Sequence, residues 1–479
     1  MSASNNTHTN SVDLSWLEQY RQISVIGLGM SGVGVTKMLS SRGVKLHVQD
    51  SRDNVVGLDE IRALENVQSV HLGSFDLARI LTSDLLIMSP GISLQTSEIQ
   101  QAIKNGIEIS SDVDIVTRSC SVPIIAITGS NGKSTVTQLT GEICQAAGYD
   151  TFIGGNIGRS VMELIDENRH YDLAVLELSS FQLEITPNLN ALSAAVLNLS
   201  PDHLDRYDSY QDYAMSKLSI YNDAKNYIWN RDDSWFDNVE LFAANQDNSN
   251  VKNNLKNNAK ASIKKLSFGL QSPRNNNEFG ILEDEYKKTF FAQGQLKICP
   301  TDVCKLIGTH NHLNVLAAMA LLSTFDISSE IMQTAISRFE GLKHRMQKIR
   351  EHDGVVWIND SKATNVGATE SAILGLQGSI VLIAGGQGKG AEFADLIPVL
   401  KKHVTRTYVF GEDAQKMNTV WEHELDVQVV TSLEDAVLQA NQFAQQGDIV
   451  LFAPACASFD MFTSFEARGD SFVELVNGL

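Results

Sequence analysis

Short apolar runs alternate along the chain with stretches whose apolar positions recur every three to four residues. The runs fall at residues 23–26, 45–48, 85–88, 123–128, 173–178 and 194–199, and each precedes a helical pattern. Strands this apolar cannot keep one face in water, so the alternation predicts parallel sheets covered by helices on both sides and an α/β fold. After residue 199 the pattern weakens. Residues 246–265 are crowded with Asn and Lys and hold no aromatic side chain. That composition buries too little apolar surface to offset ordering entropy and predicts a variable loop rather than a basic binding patch. Helical periodicity returns at 312–322, and a second strand series follows at 355–358, 379–384, 407–410 and 448–452. Breaks near 110–122 and 340–343 divide the chain into 1–115, 116–340 and 341–479, each within the usual size of a domain.

Composition narrows the class. With 479 residues, 43% hydrophobic and 20% charged, the chain can fill several globular cores. Lys and Arg total 38 against 57 Asp and Glu, a net charge of −19. That field repels nucleic-acid backbones and anionic lipid and argues against nucleic-acid binding. The start, 1–13, is polar, and no apolar run approaches the ~20 residues needed to span a bilayer. A cytoplasmic chain without membrane insertion is expected. The five cysteines, Cys120, Cys144, Cys299, Cys304 and Cys456, show no CxxC spacing. Such a set suits a reducing compartment without disulfides or a zinc knuckle.

Two glycine-rich loops lie between a strand and a helix. Gly27-Leu28-Gly29-Met30-Ser31-Gly32 follows the run at 23–26, and Asp50 ends the next strand, where it could accept from a ribose hydroxyl. On pattern alone this loop fits a dinucleotide such as NAD, another nucleotide diphosphate, or a bare turn. The second, Gly129-Ser130-Asn131-Gly132-Lys133-Ser134-Thr135, follows the run at 123–128. Its amides and helix dipole can cradle a triphosphate, Lys133 can neutralise β/γ charge, and the Ser134 hydroxyl can ligate Mg²⁺. It is the shorter GxxGK form, with Ile127 where the longer P-loop pattern has glycine.

Acidic and cationic residues complete a phosphoryl-transfer set. Glu177 is embedded in an apolar strand, where a carboxylate is costly unless paired or bound to metal, so it is a candidate Mg²⁺ ligand. His203, in Asp202-His203, could touch a metal or phosphate, or be a loop histidine beside an Asp202 helix cap. Lys217, on a helix expected over 211–224, reads as an ordinary solvent-facing lysine. In the last third, Lys362 and Thr364, then Lys389, then Ser458 follow three successive strands and could bind a carboxylate or phosphate at one sheet edge. Cys456, between two alanines, reads as packing.

Ile127-Thr128-Gly129-Ser130-Asn131-Gly132-Lys133-Ser134-Thr135, Glu177-Leu178-Ser179-Ser180-Phe181-Gln182, Asp202-His203, His310-Asn311, Asp360-Ser361-Lys362-Ala363-Thr364-Asn365 and Pro454-Ala455-Cys456-Ala457-Ser458-Phe459-Asp460 together resemble the Mur ligases of peptidoglycan synthesis from about residue 20 onward. The combination is most similar to members that add D-glutamate. The resemblance implies a Rossmann-like N-terminal domain, a central P-loop ATPase and a C-terminal dinucleotide-fold-like domain. Implied partners are ATP, UDP-N-acetylmuramoyl-L-alanine and D-glutamate, with the chain acting as a monomer. It reassigns the first loop to uridine diphosphate, with Met30, Ser31, Asp50, Ser51 and Arg52 at the uracil end and Ser89, Pro90, Gly91 and Asn156 on the nucleotide sugar. Gly129, Ser130, Asn131, Gly132, Lys133, Ser134, Thr135, Asn311, Arg345 and Asp360 match ATP positions. Ser134 and Glu177 match a first Mg²⁺ site; His203 and a Lys217 that the family carbamylates match a second. Lys133, Glu177, His203 and Lys217 are the catalytic set so implied. Lys362, Thr364, Lys389, Ser458, Phe459 and Phe465 correspond to the D-glutamate pocket. Gln387 departs from the family, which often has a carboxylate there. Three other readings remain: a sister ligase or folylpolyglutamate synthetase, a nucleotide-hydrolysing switch, and a nicotinamide oxidoreductase.

Overall fold

The structure, a computed structural model, describes residues 12–166, 168–187, 189–203, 206–238, 264–306 and 308–479. Three sheets follow one another along the chain, each with helices on both faces. The first holds β1 (Ile23–Ile26), β2 (Leu46–Asp50), β3 (Val67–Leu72), β4 (Leu85–Met88) and β5 (Glu108–Ser110), all parallel in the order 3-2-1-4-5. Its centre, β1 and β4, is fully buried, which is why those runs do not alternate polar with apolar.

The second sheet has nine strands: β6 (Ile124–Thr128), β7 (Thr151–Gly155), β8 (Leu173–Glu177), β9 (Ser193–Val196), β10 (Asn226–Asn230), β11 (Lys264–Phe268), β12 (Glu278–Glu283), β13 (Thr289–Gln293) and β14 (Leu296–Pro300). Their order is 14-13-12-11-10-9-6-8-7, with only β12 to β14 pairing antiparallel. The last five strands were not legible in the weak pattern after residue 199. Lys264 and Lys265, expected in the variable loop, open β11, where Leu266, Ser267 and Phe268 are buried. The rest of that loop, 246–263, lies outside the described residues.

The third sheet comprises β15 (Gln347–His352), β16 (Val355–Asn359), β17 (Ile380–Gly385), β18 (Val404–Phe410), β19 (Val427–Val429) and β20 (Ile449–Phe452), in the order 15-16-20-17-18-19 and parallel except for β15. Among the described residues no helix is long and apolar enough to cross a membrane. All five cysteines are free, and Cys456 packs in the core, where burial raises its thiol pKa.

The joints between the sheets differ in chemistry. One apolar cluster runs from Leu39 and Ile87 of the first sheet's layers through Val113 and Val116 to Val161 and Ile165 of the second. The third sheet's two clusters contain no residue before Met346. Its contacts with the central sheet's loops include polar ones, Arg345 to Ser134 and Asn365 to Asp202.

Turn geometry limits the first loop most tightly at Gly32, where a Cβ would stand 1.8 Å from the Gly27 carbonyl oxygen. Gly32→Ala should therefore cost about 1–3 kcal/mol through forced backbone movement. Calorimetry would show this as an earlier first unfolding transition; an unmoved transition would mean the turn opens freely.

Candidate active site

The loops at the carboxyl ends of the strands gather in one cleft. After β6 the chain turns through Gly132, at φ 82°, into the helix Lys133–Ala146; a Cβ at Gly132 would meet Asn314 Oδ1 at 2.6 Å. Neighbouring loops brace the turn. The Asn131 N–H donates to Asn198 Oδ1 (2.8 Å) and Asn198 Nδ2 donates back to the Asn131 carbonyl (3.0 Å). Ser130 Oγ accepts from the Ser200 N–H at 2.9 Å and lies 3.0 Å from the Tyr213 hydroxyl. Lys133 Nζ donates to the carbonyls of Gly129 (2.8 Å) and Ser130 (2.9 Å), which keeps its ammonium within the loop.

Ser134 is where two domains meet. Its hydroxyl donates to Glu177 Oε2 at 2.5 Å and accepts from Arg345 Nη2 at 2.6 Å. The other carboxylate oxygen of Glu177 accepts from Asn156 Nδ2 at 2.9 Å. Glu177 is buried at the end of β8, so the costly carboxylate of the sequence is satisfied by a hydroxyl and an amide. Beside it a cavity of about 350 Å³ is lined by Asn131, Gly132, Thr135, Asn311, Arg345 and Asp360. Burial raises the Asp360 pKa to about 7 against the opposing charge of Arg345.

Asp202 and His203 occupy the segment after β9. His203 sits at φ 54°, and Asp202 Oδ1 accepts from its N–H at 2.9 Å. Among the described residues no helix begins at Asp202, and the helix Tyr210–Leu218 is capped by Ser209, so the capping alternative for Asp202 does not hold. Nor does the solvent-facing expectation for Lys217. That residue is 2% exposed, with Nζ 4.8 Å from the centre of the Tyr213 ring. Its helix is shorter than expected and turns this face toward the P-loop. Burial first, then the Lys133 charge, pushes the Lys217 pKa well below the usual lysine value. Burial also lowers His203, with Asp202 opposing and Lys389, Lys217 and Lys133 reinforcing.

The third domain contributes Lys362, whose Nζ lies 3.8 Å above the Phe465 ring, and Lys389, 5.7 Å from the Phe459 ring. Burial, then Arg345, lowers Lys362 to a pKa of about 8. Ser458 is buried and Phe459 is exposed, while Thr364 donates its N–H to the Lys362 carbonyl at 2.8 Å.

Met30, Ser31, Asp50, Ser51, Arg52, Ser89, Pro90 and Gly91 form a separate group at the edge of the first sheet. Ser31 bonds Asp112, whose pKa burial raises. Asp50 accepts from the Leu28 N–H (2.6 Å), Arg52 Nε (2.8 Å) and Arg52 Nη2 (2.7 Å). Burial alone would raise its pKa, but these donors hold it at about 2. Arg206 ties the group to the central domain, donating to the carbonyls of Gly91 (3.4 Å) and Ile92 (3.0 Å) and stacking over Phe181. Asn156 stands with Glu177 rather than with the Asp50 group.

Sequence reasoning missed Arg468. Its guanidinium is fully buried and donates to Ser361 Oγ (3.1 Å) and to the carbonyls of Ser361 (2.9 Å), Cys456 (3.0 Å), Ala457 (3.1 Å) and Gly385 (3.4 Å). It thereby ties together the loops that carry Lys362, Lys389 and Ser458. The next residue, Gly469, is pressed against the His344 ring, so this face of the helix is crowded.

Comparisons with known proteins add to the geometry. Residues 21–111 match the model of the Mur ligase MurD-like N-terminal domain, 127–322 the Mur ligase middle domain and 344–456 the Mur ligase glutamate ligase domain. The chain is 42% identical to UDP-N-acetylmuramoylalanine–D-glutamate ligase of Pseudoalteromonas translucida, across 95% of this chain and 97% of that one. It is 40% identical to the protein of that name in Methylobacillus flagellatus, across 96% and 97%. Among solved structures, the pseudomurein peptide ligase type C of Methanothermus fervidus gives a TM-score of 0.59 at 19% identity, covering 95% of this chain and 99% of that one. UDP-N-acetylmuramate-alanine ligase of Thermotoga maritima gives 0.55 at 16%, again covering 95% and 99%; at these identities the likeness is one of fold.

The Asp50 pairing makes a pH prediction. Its folded pKa lies below the ~3.9 of an unfolded aspartate, so the pair stabilises the fold above about pH 4 and that contribution is lost as pH falls toward 2. Asp50→Asn should flatten the acid limb of melting temperature against pH; a limb as steep as that of the unsubstituted chain would remove Asp50 from the acid response.

Proposed function

The chain belongs to the Mur ligase family, and from that membership we propose that it joins the alanyl carboxylate of UDP-N-acetylmuramoyl-L-alanine to the amine of D-glutamate, with ATP split to ADP and phosphate. In this reading residues 1–115 hold the UDP end, 116–340 the nucleotide triphosphate and 341–479 the amino acid. The contact that carries the reading is Glu177–Ser134–Arg345, which joins the P-loop to a cation of the third domain. In this reading the enzyme acts in the cytoplasm as a monomer.

A carboxylate and an amine do not condense in water, so the acid must be activated. An alanyl carboxylate oxygen attacks the γ-phosphorus of ATP. The bond from that phosphorus to the bridging oxygen breaks, its electron pair leaves on ADP, and an acyl phosphate forms. The neutral amine of D-glutamate then attacks the acyl carbon, phosphate departs with the bonding pair of its bridging oxygen, and the proton left on the nitrogen passes to that phosphate. Two anions must meet in the first step, and the cleft offsets their repulsion with preplaced cations. Lys133, whose ammonium is held at the carbonyls of Gly129 and Ser130, is the cation of the phosphate loop and would neutralise the β/γ oxygens. Asn311 and Asp360 line the cavity for the nucleoside, and Arg345 bridges it to Ser134. Lys362, Thr364, Lys389, Ser458, Phe459 and Phe465 receive D-glutamate, with Lys362 opposite its carboxylates and Arg468 fixing the loops beneath. The Asp50, Arg52 and Ser31 group, with Met30, Ser51, Ser89, Pro90 and Gly91, receives the uridine end, and Asn156 reaches the sugar side.

The donor set also fits magnesium, which when bound neutralises phosphate charge and is commonly held by one or two protein oxygens. Ser134 and Glu177 would hold one ion, and His203 with a carbamylated Lys217 a second. Lys217 suits that modification. Its amine is buried, its pKa is pushed down, and among the described residues no carboxylate lies within ion-pair distance of it. Addition of carbon dioxide to the nitrogen with loss of a proton turns it into an anionic oxygen donor.

Adduct formation should be followed by mass spectrometry with each amino acid in turn, with and without UDP-N-acetylmuramoyl-L-alanine. A product only with D-glutamate is expected, and none under saturating reactants and magnesium would end the proposal. Lys133→Ala should lower kcat by about 10²–10³ with the UDP substrate still bound; unchanged turnover would exclude the P-loop role. Because Lys362 loses its proton near pH 8, KM for D-glutamate should rise above that pH. Lys362→Arg should move the rise upward, and a rise that stays put would assign it to another group.

A further inference from the structure

The seam between the central and C-terminal domains contains a contact that the reaction above does not use. Asn365 ends the loop after β16 and heads the helix Val366–Leu374. Its side chain works in two directions. Oδ1 accepts from the Ala368 N–H at 2.8 Å as the helix N-cap, and Nδ2 donates to Asp202 Oδ2 at 3.0 Å across the domain boundary. The other oxygen of that carboxylate holds the N–H of His203, a residue in left-handed backbone. Two residues into the helix, Gly367 approaches the central domain so closely that a Cβ would stand 3.1 Å from Ser200 Oγ and 3.8 Å from Asn131 Nδ2. The first turn of this helix therefore docks on the loops after β6 and β9, which also carry the phosphate-site residues.

We propose that Asn365 is a positioning residue for closure of the C-terminal domain: its amide latches the helix Val366–Leu374 to Asp202 and so sets the His203 segment only when the domains are together. Residue chemistry singles out asparagine. Aspartate and serine cap helices about as well. Aspartate has no proton to donate and serine must cap and donate through one oxygen, whereas the carboxamide caps through its oxygen and donates from a separate nitrogen. An aspartate at 365 would keep the cap and set two carboxylates against each other. Among the described residues no buried apolar cluster is shared across this joint, so loss of one charge-assisted hydrogen bond should be felt in the domain equilibrium. The link to turnover rests on the ligase reading, whereas the latch itself does not.

The test uses the full chain with magnesium, with a non-hydrolysable ATP analogue for scattering and with ATP itself for turnover. Asn365→Asp should melt close to the unsubstituted protein, since the cap survives. It should nevertheless show a larger radius of gyration by small-angle scattering and a KM for D-glutamate raised about tenfold, with KM for ATP changed much less. Combining it with Asp202→Asn restores an amide–carboxylate pair in the opposite sense, and the radius of gyration should return. The latch is overturned if Asn365→Asp leaves both radius and KM unchanged, or if the double variant stays as expanded as the single one. Should the unsubstituted chain make no adduct with D-glutamate, the ligase reading fails while scattering still decides the latch.

Discussion

Burying several cations in one cleft without an equal set of ionised carboxylates is the constraint on which the rest of this molecule depends. Lys133, Lys217, Arg345 and Lys362 face Glu177, Asp202, Glu466 and Asp360, the last raised by burial to a pKa of about 7, and burial lowers the pKa of each of the four cations. The chain as a whole carries a charge of −19, so this cluster of cations is a local exception within a net negative molecule. Cations crowded in this way repel one another, and anions that enter the cleft relieve that repulsion. Affinity for phosphates and carboxylates thus follows from arrangement as much as from any single contact.

The two domain joints answer that constraint differently. An apolar seam fuses the first two domains, which keeps the Asp50 group at a set distance from the P-loop. The third domain meets them through Arg345, Asn365 and the polar loops around them, with no apolar cluster shared among the described residues. Interfaces of that polarity favour relative motion. The domain free to move is the one that carries the pocket proposed for the amino acid, which is the substrate needed last.

Much of this was legible in the sequence. The buried strands could be read because strands in doubly covered parallel sheets carry unbroken apolar runs, and the glycine loops because a strand-to-helix turn around an anion admits few residues. Lys217 was not, since a lysine on a helix looks alike whether its face meets solvent or a P-loop. Strands β10 to β14 were hidden for another reason: their mixed burial leaves no continuous run, as in Leu296–Pro300, where two of five residues are exposed. Arg468 escaped notice because all but one of its partners are backbone carbonyls of distant loops, and backbone acceptors leave no trace in side-chain spacing. Asn365 was visible as part of a motif, yet its second role depends on a carboxylate 163 residues earlier.

Arg468 carries a consequence for biosynthesis. Chains emerge from the ribosome amino end first, and domains tend to fold in that order. The P-loop and its brace through Asn198 can assemble while the remainder is still being made. The loops bearing Lys362, Lys389 and Ser458 stay without their common anchor until residue 468 has been added. A chain stalled shortly before that point would hold a formed triphosphate cradle and no organised acceptor side, a nascent half-enzyme able to sequester nucleotide but not to complete a bond.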